Sequence, residues 1–136
     1  MPKSAEALLT DFYDAWRAHD LDLMGTYLPD DFSHSLNIPA ETLSVGGVRQ
    51  GKHASLKRLA EIFQGFDTQY LEPSQMIVRG SQAIVEVHTR CKHRASGVWL
   101  DTTKQHVWLL EDGWPVRLSE FYDVEQFKTF VSSARR

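Results

Sequence analysis

The sequence predicts an α+β fold in which N-terminal helices pack into a strongly curved antiparallel sheet. Two patterns along the chain lead to this prediction. Up to residue 66, apolar side chains recur every three or four positions, as in amphipathic helices; after residue 75 most of them alternate with polar ones, as in half-buried strands. Helices followed by a run of hairpins are typical of α+β domains. With 136 residues, we expect one domain spanning 1–136 that can bury a core.

Three helices are predicted in the first half of the chain. Ser4 can cap the first helix through its hydroxyl, and the apolar residues that follow form one stripe. Asp20 can cap a short second helix, which Pro29 ends. A third helix follows Gly51 and ends near Gly65. The stripe of the first helix consists of Ala5, Leu8, Leu9, Phe12, Ala15 and Trp16.

The remaining sequence predicts strands and a closing helix. Residues 32–38 are a strand candidate, whereas residues 40–50, which contain two adjacent glycines, are expected to form a loop. Short turns separate four further predicted strands, at 76–79, 83–93, 99–110 and 114–122. The apolar spacing of Phe127, Phe130 and Val131 predicts a short helix at the end of the chain.

The alternation in residues 83–93 indicates which face of the sheet the helices cover. One face of this segment carries the charged or imidazole side chains Glu86, His88, Arg90 and Lys92. Burying these side chains together would be very costly, so the opposite face, with Thr89 and its apolar neighbours, is expected to point inward. The hairpin alignment then places a second set of residues inward, comprising Thr102, Lys104, His106, Trp108, Leu118, Glu120 and Tyr122.

Three of these inward residues can form an acid/base site. Glu120, His106 and Lys104 come from adjacent predicted strands and converge on an otherwise apolar interior, where desolvation and opposite charge shift pKa values. We expect Glu120 to act as general base, His106 to donate to it or accept from it, and Lys104 to stabilise a developing oxyanion. The structural alternative is a cross-strand ion pair between Lys104 and Glu120 at the pocket rim, with His106 as a neighbour.

The order of the elements carries a family resemblance. Together with Phe12, the turn at 23–28, the helix led by Gly51 and the Glu-Phe-Tyr-Asp ending at 120–123, it resembles the nuclear transport factor 2-like superfamily. Within that superfamily it is most similar to SnoaL-like polyketide cyclases and limonene epoxide hydrolase-like proteins. The resemblance implies a cystatin-like, cone-shaped roll that is usually dimeric, with active groups projecting from the sheet into the cone. Because the shared motifs are diffuse, it implies a fold rather than an activity.

The resemblance also allows two catalytic mechanisms to be tested residue by residue. Limonene epoxide hydrolases activate water with an Asp-Arg-Asp trio, and although Asn37 matches that group, Val87 and Thr89 stand where two members of the trio belong. Epoxide hydrolysis by this mechanism is therefore not expected. Ketosteroid isomerases use a Tyr and an Asp at positions that fall on Phe12 and near Leu36. Their mechanism is not expected either.

SnoaL-type cyclases use an acid near the end of the last strand, which Glu120 or Asp123 can supply, and the facing of the strand favours Glu120. We therefore expect a cofactor-independent isomerase, cyclase or lyase that moves protons on an apolar carbonyl compound. A non-catalytic ligand-binding or dimerisation domain is the alternative. Ligand contacts are expected from Asn37, Ser35, Tyr13, Trp16, Thr89, Thr102 and Tyr122. His34 fits edge polarity and function equally well.

Charge and composition argue against several partners. The net charge of -3 gives no electrostatic footprint for nucleic acid. Neither a membrane-spanning stretch nor a signal peptide is visible, and the one cysteine, Cys91, precludes an intrachain disulfide, so a cytoplasmic location is expected. No cofactor is expected. No metal site is expected either, because Glu86 and His88 point outward and no Cys cluster accompanies them.

The predicted outward face of the sheet carries large apolar side chains among polar ones. They are Trp99, Val107, Leu109 and Phe121. Exposed apolar area of this extent on a monomer is typical of an interface. We therefore expect a homodimer formed through this face.

Overall fold

The computed structural model describes residues 4–38 and 46–134. Within these residues three helices precede most of a six-stranded sheet, and a fourth helix follows it. The elements are α1 (Ala5–Arg17), α2 (Leu21–Thr26), β1 (Ser33–Leu36), β2 (Gly47–Gln50), α3 (Lys52–Gly65), β3 (Phe66–Arg79), β4 (Gln82–His93), β5 (Trp99–Glu111), β6 (Trp114–Phe121) and α4 (Val124–Ala134). The predicted α+β class is confirmed.

The helices begin where their capping residues predict. The Ser4 hydroxyl accepts a hydrogen bond from the backbone N–H of Ala7 at 3.1 Å, and the Asp20 carboxylate accepts one from that of Leu23 at 3.1 Å. Gly51 precedes α3 with a φ of 91°, a conformation that favours glycine because it has no Cβ. None of the helices in the described residues is long and apolar enough to cross a bilayer.

The strands form one sheet in the order β2-β1-β6-β5-β4-β3. All neighbours are antiparallel except β1 and β6, which run parallel and pair Leu36 with Glu120. The inward facing predicted from the hairpins is confirmed, since alternate residues of β5 from Leu100 to Leu110 are buried. This facing brings the side chains of β1, β5 and β6 to one interior surface.

Two sequence-based boundaries were wrong. Residues 47–50, expected to belong to a loop, form β2, whose single apolar residue, Val48, leaves no alternating pattern to detect; 39–45 lie outside the described residues. The strand expected at 76–79 is β3, which starts at Phe66 directly after α3. Shifts in its register near Thr68 and Pro73 interrupt the alternation that identifies a strand.

The interior contains two apolar clusters. The larger packs α1, α2 and α3 against the inward face of the sheet, around Phe12 and Trp108. The smaller joins α4 to the other end of the sheet, and Phe127 and Leu100 belong to it. A cavity lies where the clusters meet, because its wall includes Trp16 from the larger cluster and Phe127 from the smaller one.

Candidate active site: a buried ion pair in an apolar cavity

The cavity has a volume of about 60 Å³. Most of its wall is apolar, formed by Trp16, Leu36, Ile38, Ile62, Phe66, Leu71, Leu100 and Phe127. The polar part of the wall consists of Thr68, Thr89, Cys91, Lys104, Glu120 and Tyr122. A carboxylate and an ammonium group are therefore the charged groups that a ligand in this cavity meets.

Glu120 lies on β6 and is saturated with hydrogen bonds. Its Oε1 accepts from Lys104 Nζ at 2.7 Å and from His106 Nε2 at 2.9 Å, and its Oε2 accepts from His34 Nε2. Burial raises the pKa of Glu120, but the charge of Lys104 and the hydrogen bonds from His106 and His34 outweigh burial. The pKa is held well below its ordinary value, so Glu120 is ionised at neutral pH.

Lys104 projects from β5 into the cavity wall. Besides Glu120, its ammonium donates to the Tyr122 hydroxyl at 2.9 Å, and it lies 5.2 Å from the centre of the Trp16 ring. Burial lowers the pKa of Lys104, yet the neighbouring Glu120 charge and the hydrogen bonds raise it above its ordinary value overall. The pKa of Tyr122 is raised to about 12, mainly by burial. Lys104 is therefore a cation and Tyr122 a neutral phenol.

Behind the carboxylate, a chain of hydrogen bonds runs into the main apolar cluster. His106 Nδ1 is 2.7 Å from the Tyr13 hydroxyl, which accepts from Trp108 Nε1 at 3.0 Å. Burial is the main reason that the pKa of His106 is lowered to about 4, so its ring is neutral at pH 7. Because Glu120 can only accept, Nε2 of His106 carries the proton and Nδ1 accepts from Tyr13. The chain is thus directed from Trp108 through Tyr13 and His106 to Glu120.

Two further residues belong to this site: Arg58, which sequence reasoning missed, and His34, for which it left edge polarity and function open. Both are buried, and Arg58 Nη1 donates to the His34 carbonyl at 3.3 Å. Nδ1 of His34 and both Nε and Nη2 of Arg58 have no hydrogen-bond partner within the described part of the chain. Burial and the charge of Arg49 lower the pKa of Arg58 to about 10, which leaves it protonated at neutral pH. A signal for His34 was available in the sequence: it lies at every-second-residue spacing with Phe32, Leu36 and Ile38, which places it on the same inward face as these apolar residues.

The structure brings some of the expected ligand residues to the cavity and leaves others away from it. Trp16, Thr89 and Tyr122 line the cavity wall together with Lys104 and Glu120. Five other expected residues do not line the cavity: His106, Tyr13, Thr102, Ser35 and Asn37.

The structure gives a physical reason for four of these exceptions. Tyr13 is buried behind His106, and Thr102 donates its hydroxyl hydrogen to Gln126 Oε1 at 2.8 Å. Side chains alternate along β1, so Ser35 lies on the face opposite to His34. Asn37 follows the strand and is exposed, and its backbone N–H donates to the Glu120 carbonyl at 2.9 Å.

No set of three His, Cys, Asp or Glu side chains is grouped as metal ligands within residues 4–38 and 46–134. The carboxylate nearest to two histidines is that of Glu120, and Lys104 already occupies one of its oxygens. The chemistry that this arrangement can supply is proton transfer and charge stabilisation by side chains.

The sequence matches the model of the SnoaL-like domain over residues 9–118. The chain belongs to the SnoaL-like domain family. The resemblance to the nuclear transport factor 2-like superfamily is thereby confirmed, as is its cone-shaped fold. No curated protein matches the sequence of this SnoaL-like chain.

Solved structures support the same fold at low sequence identity. A proposed isomerase from Rhodopseudomonas palustris is 15% identical with a TM-score of 0.79, covering 99% of this chain and 98% of its own. TerC, co-crystallised with polyporic acid, is 18% identical with a TM-score of 0.83, covering 95% and 98%. A proposed polyketide cyclase from Pseudomonas putida is 16% identical with a TM-score of 0.77, covering 95% and 98%. At these identities the similarity establishes the fold alone.

Proposed function

We propose that this SnoaL-like protein binds a small, largely apolar carbonyl compound in its cavity and acts on it without a cofactor, as an isomerase, cyclase or lyase. One observation carries the proposal: the buried pair of Glu120 and Lys104 lies in the wall of an otherwise mostly apolar cavity. Pockets that combine an apolar wall with a few convergent charged groups are typical of small-molecule sites. The isomerase and cyclase descriptions of the structural neighbours support the same class of chemistry.

In the proposed reaction, Glu120 takes a proton from the carbon next to the ligand's carbonyl group. The electron pair of the broken C–H bond forms an enolate, and the oxygen of that enolate receives a hydrogen bond from Lys104. An ammonium has three N–H donors, and those of Lys104 to Glu120 and Tyr122 account for two. The third remains for the ligand. Return of the proton from Glu120 to another carbon completes an isomerisation.

His106 acts through Glu120 and is a positioning residue, since it does not line the cavity. Its neutral ring donates to Glu120, and Tyr13 keeps the tautomer that does so. Lys104, His106 and His34 together hold the pKa of Glu120 low, so Glu120 is a weak base. The substrate therefore needs an acidic C–H, such as one between two carbonyl groups.

The saturation of Glu120 also supports the second candidate function, a non-catalytic domain that binds a similar ligand. Both carboxylate oxygens already accept hydrogen bonds from Lys104, His106 and His34. In this second function the carboxylate takes no proton and holds Lys104 in place for a ligand oxygen. Binding without turnover separates this function from the first.

Proton exchange into a β-keto ester tests the catalytic proposal. With ethyl acetoacetate in D2O, we expect the protein to accelerate loss of the C–H signal in proton NMR at least tenfold over buffer. Glu120→Gln should abolish the acceleration, and His88→Gln, on the outer face of the sheet, should retain it. If Glu120→Gln does not fold, the double variant Lys104→Met/Glu120→Gln replaces it, because it leaves no unpaired Lys104 cation.

Binding of the keto ester without accelerated exchange would favour the non-catalytic function. Acceleration that survives in a folded Glu120 variant would contradict the assignment of Glu120 as the base. Retention of activity in His88→Gln is needed to show that the effect belongs to the cavity, since His88 pairs with Asp101 on the outer face at 2.7 Å.

We also propose a homodimer formed through the outer face of the sheet, in the cytoplasm. Ile77, Ile84 and Val107 form a row across three adjacent strands, and Leu109 and Phe121 are exposed on the same face. Both positively and negatively charged side chains surround this apolar area, so two copies can pack face to face without bringing many like charges together. The single cysteine is compatible with a reducing compartment.

Sedimentation equilibrium at micromolar concentration tests the dimer. We expect Leu109→Glu/Phe121→Glu to convert a dimer into a monomer, because it places charges in the apolar area. Val48→Glu is the control, since Val48 is exposed on β2, away from that area. A monomeric unsubstituted protein would contradict the proposal.

A further inference from the structure

The buried part of this protein contains more positive than negative charge. Within the described residues, three buried side chains carry a full charge at neutral pH: Arg58, Lys104 and Glu120, with exposures of 0%, 4% and 1%. Two buried cations therefore accompany one buried anion. His106 is neutral, because its pKa is lowered to about 4.

Arg58 is the unpaired member of this group. Among the described residues, Arg58 donates one hydrogen bond, to the neutral carbonyl of His34, and forms no ion pair with a carboxylate. Buried cations are normally paired, because an isolated charge loses its hydration without compensation. The charge of Glu120 acts on both Arg58 and Lys104, while the partly exposed Glu61 also acts on Arg58. Glu120 is therefore the one buried carboxylate, among the described residues, for two buried cations.

A ligand in the cavity can compensate the excess positive charge. Lys104 lies in the cavity wall with a donor left after those to Glu120 and Tyr122, and a ligand oxygen can reach this donor without displacing Glu120. An anionic oxygen at that point would balance the second cation in a region of low dielectric, where charge compensation is worth most.

We propose that the ligand of this cavity carries one negative charge, on a carboxylate or a similarly acidic oxygen group, beside its apolar body. The inference rests on the proposed function in one respect, namely that the cavity is the ligand site. Arg58 is a specificity-determining residue in this proposal: it does not touch the ligand, and its field favours an anion over a neutral molecule of the same shape. Lys104 makes the direct contact through the same third donor that the proposed reaction gives to the enolate oxygen, so the charged group and that oxygen belong to one conjugated system in the ligand.

The cavity size limits the apolar body. About 60 Å³ corresponds to room for roughly five water molecules, at 10–15 Å³ for each. A single ring or a short alkyl chain fits this space. Matched pairs of small acids and their amides are therefore suitable probes, because each pair differs in charge and hardly in shape.

Isothermal titration calorimetry at pH 7 with three such pairs tests the proposal: benzoate and benzamide, cinnamate and cinnamamide, hexanoate and hexanamide. We expect each acid that binds to do so about tenfold or more tightly than its amide, a difference of about 1.4 kcal/mol. In Arg58→Gln the preference should fall below about threefold. Arg58→Lys should keep the preference, because it keeps the charge.

Arg49→Gln is the matched control, since Arg49 is a partly exposed arginine on β2 whose charge Glu61 faces at 3.9 Å. It should leave the preference unchanged. Equal affinity for acid and amide, tighter binding of the amides, or a preference that Arg58→Gln leaves intact would each overturn the inference. The proposed function survives these results. Failure of all six compounds to bind at millimolar concentration would overturn both. If Arg58→Gln does not fold, the preference of the unsubstituted protein decides.

Discussion

The two partners of the buried ion pair are expected to differ in how much their removal destabilises the fold. Glu120→Gln leaves Lys104 and Arg58 buried without a buried carboxylate among the described residues. Lys104→Met instead leaves one cation and one anion, Arg58 and Glu120, and its apolar chain fills much of the same space. Because the described core starts with two cations and one anion, losing the anion should cost more than losing a cation.

The structure allows both costs to be approximated. Removing one member of a buried pair and leaving the other uncompensated costs about 3–5 kcal/mol, which applies to Glu120→Gln. Lys104→Met loses the hydrogen bonds to Glu120 and Tyr122, and two such bonds together contribute about 2 kcal/mol. The difference between the variants should therefore be about 2 kcal/mol.

Urea unfolding at pH 7 and one fixed protein concentration measures these costs. With a slope of about 2 kcal/mol per molar urea, the midpoint of Glu120→Gln should lie about 1 M below that of Lys104→Met. The double variant should be more stable than Glu120→Gln alone, because no unpaired Lys104 cation remains. Asp30→Asn, which affects the exposed pair with Lys52, is the control and should leave the midpoint unchanged. A Lys104→Met variant as unstable as Glu120→Gln would refute the charge count.

Three further outcomes are expected. The pKa of His106 is about 4 in the folded protein and about 6.5 in the unfolded chain, so the unfolded chain binds this proton first as the pH falls. Stability should therefore decrease by about 3 kcal/mol between pH 6.5 and pH 4, and urea titrations of His106→Asn should show a flatter slope. A slope that His106→Asn leaves unchanged would contradict the assignment. Tyr13→Phe removes the partner of both Trp108 Nε1 and His106 Nδ1 and should cost about 2 kcal/mol in thermal unfolding, whereas a neutral effect would show that the chain of hydrogen bonds does not form. Cys91 lines the cavity and burial raises its pKa, so iodoacetamide should alkylate it more slowly than free cysteine at pH 8. A bound ligand should slow the alkylation of Cys91 further. An alkylation rate that does not change with a ligand that calorimetry shows to bind would place that ligand outside the cavity.

The helices and the central strands were predictable because their signals are local. A hydroxyl or carboxylate at Ser4 and Asp20 caps the helices that follow, and the alternation in β4 and β5 distinguishes the inward face from the outward one. β2 was not predictable, since its four residues carry no alternation and its pairing with β1 supplies the hydrogen bonds that make it a strand.

The site was predictable in part for the same reason. Lys104, His106 and Glu120 lie on strands joined by a short hairpin, so their common facing follows from counting residues across the turn. Asn37 and Ser35 were expected beside them, but alternation along β1 gives the inward place to His34 instead. That expectation treated neighbouring residues of one strand as if they shared a face.

The sequence by itself determined the class of fold, the inward face of the long strands and the three charged or imidazole side chains on it. Only the tertiary structure decided what surrounds Glu120. The parallel pairing of β1 with β6 brings together His34 and Glu120, which are 86 residues apart, and the packing of α3 against β1 brings together His34 and Arg58, which are 24 apart. No local pattern encodes such contacts. They add His34 and Arg58 to the site and so give the buried core its excess of positive charge.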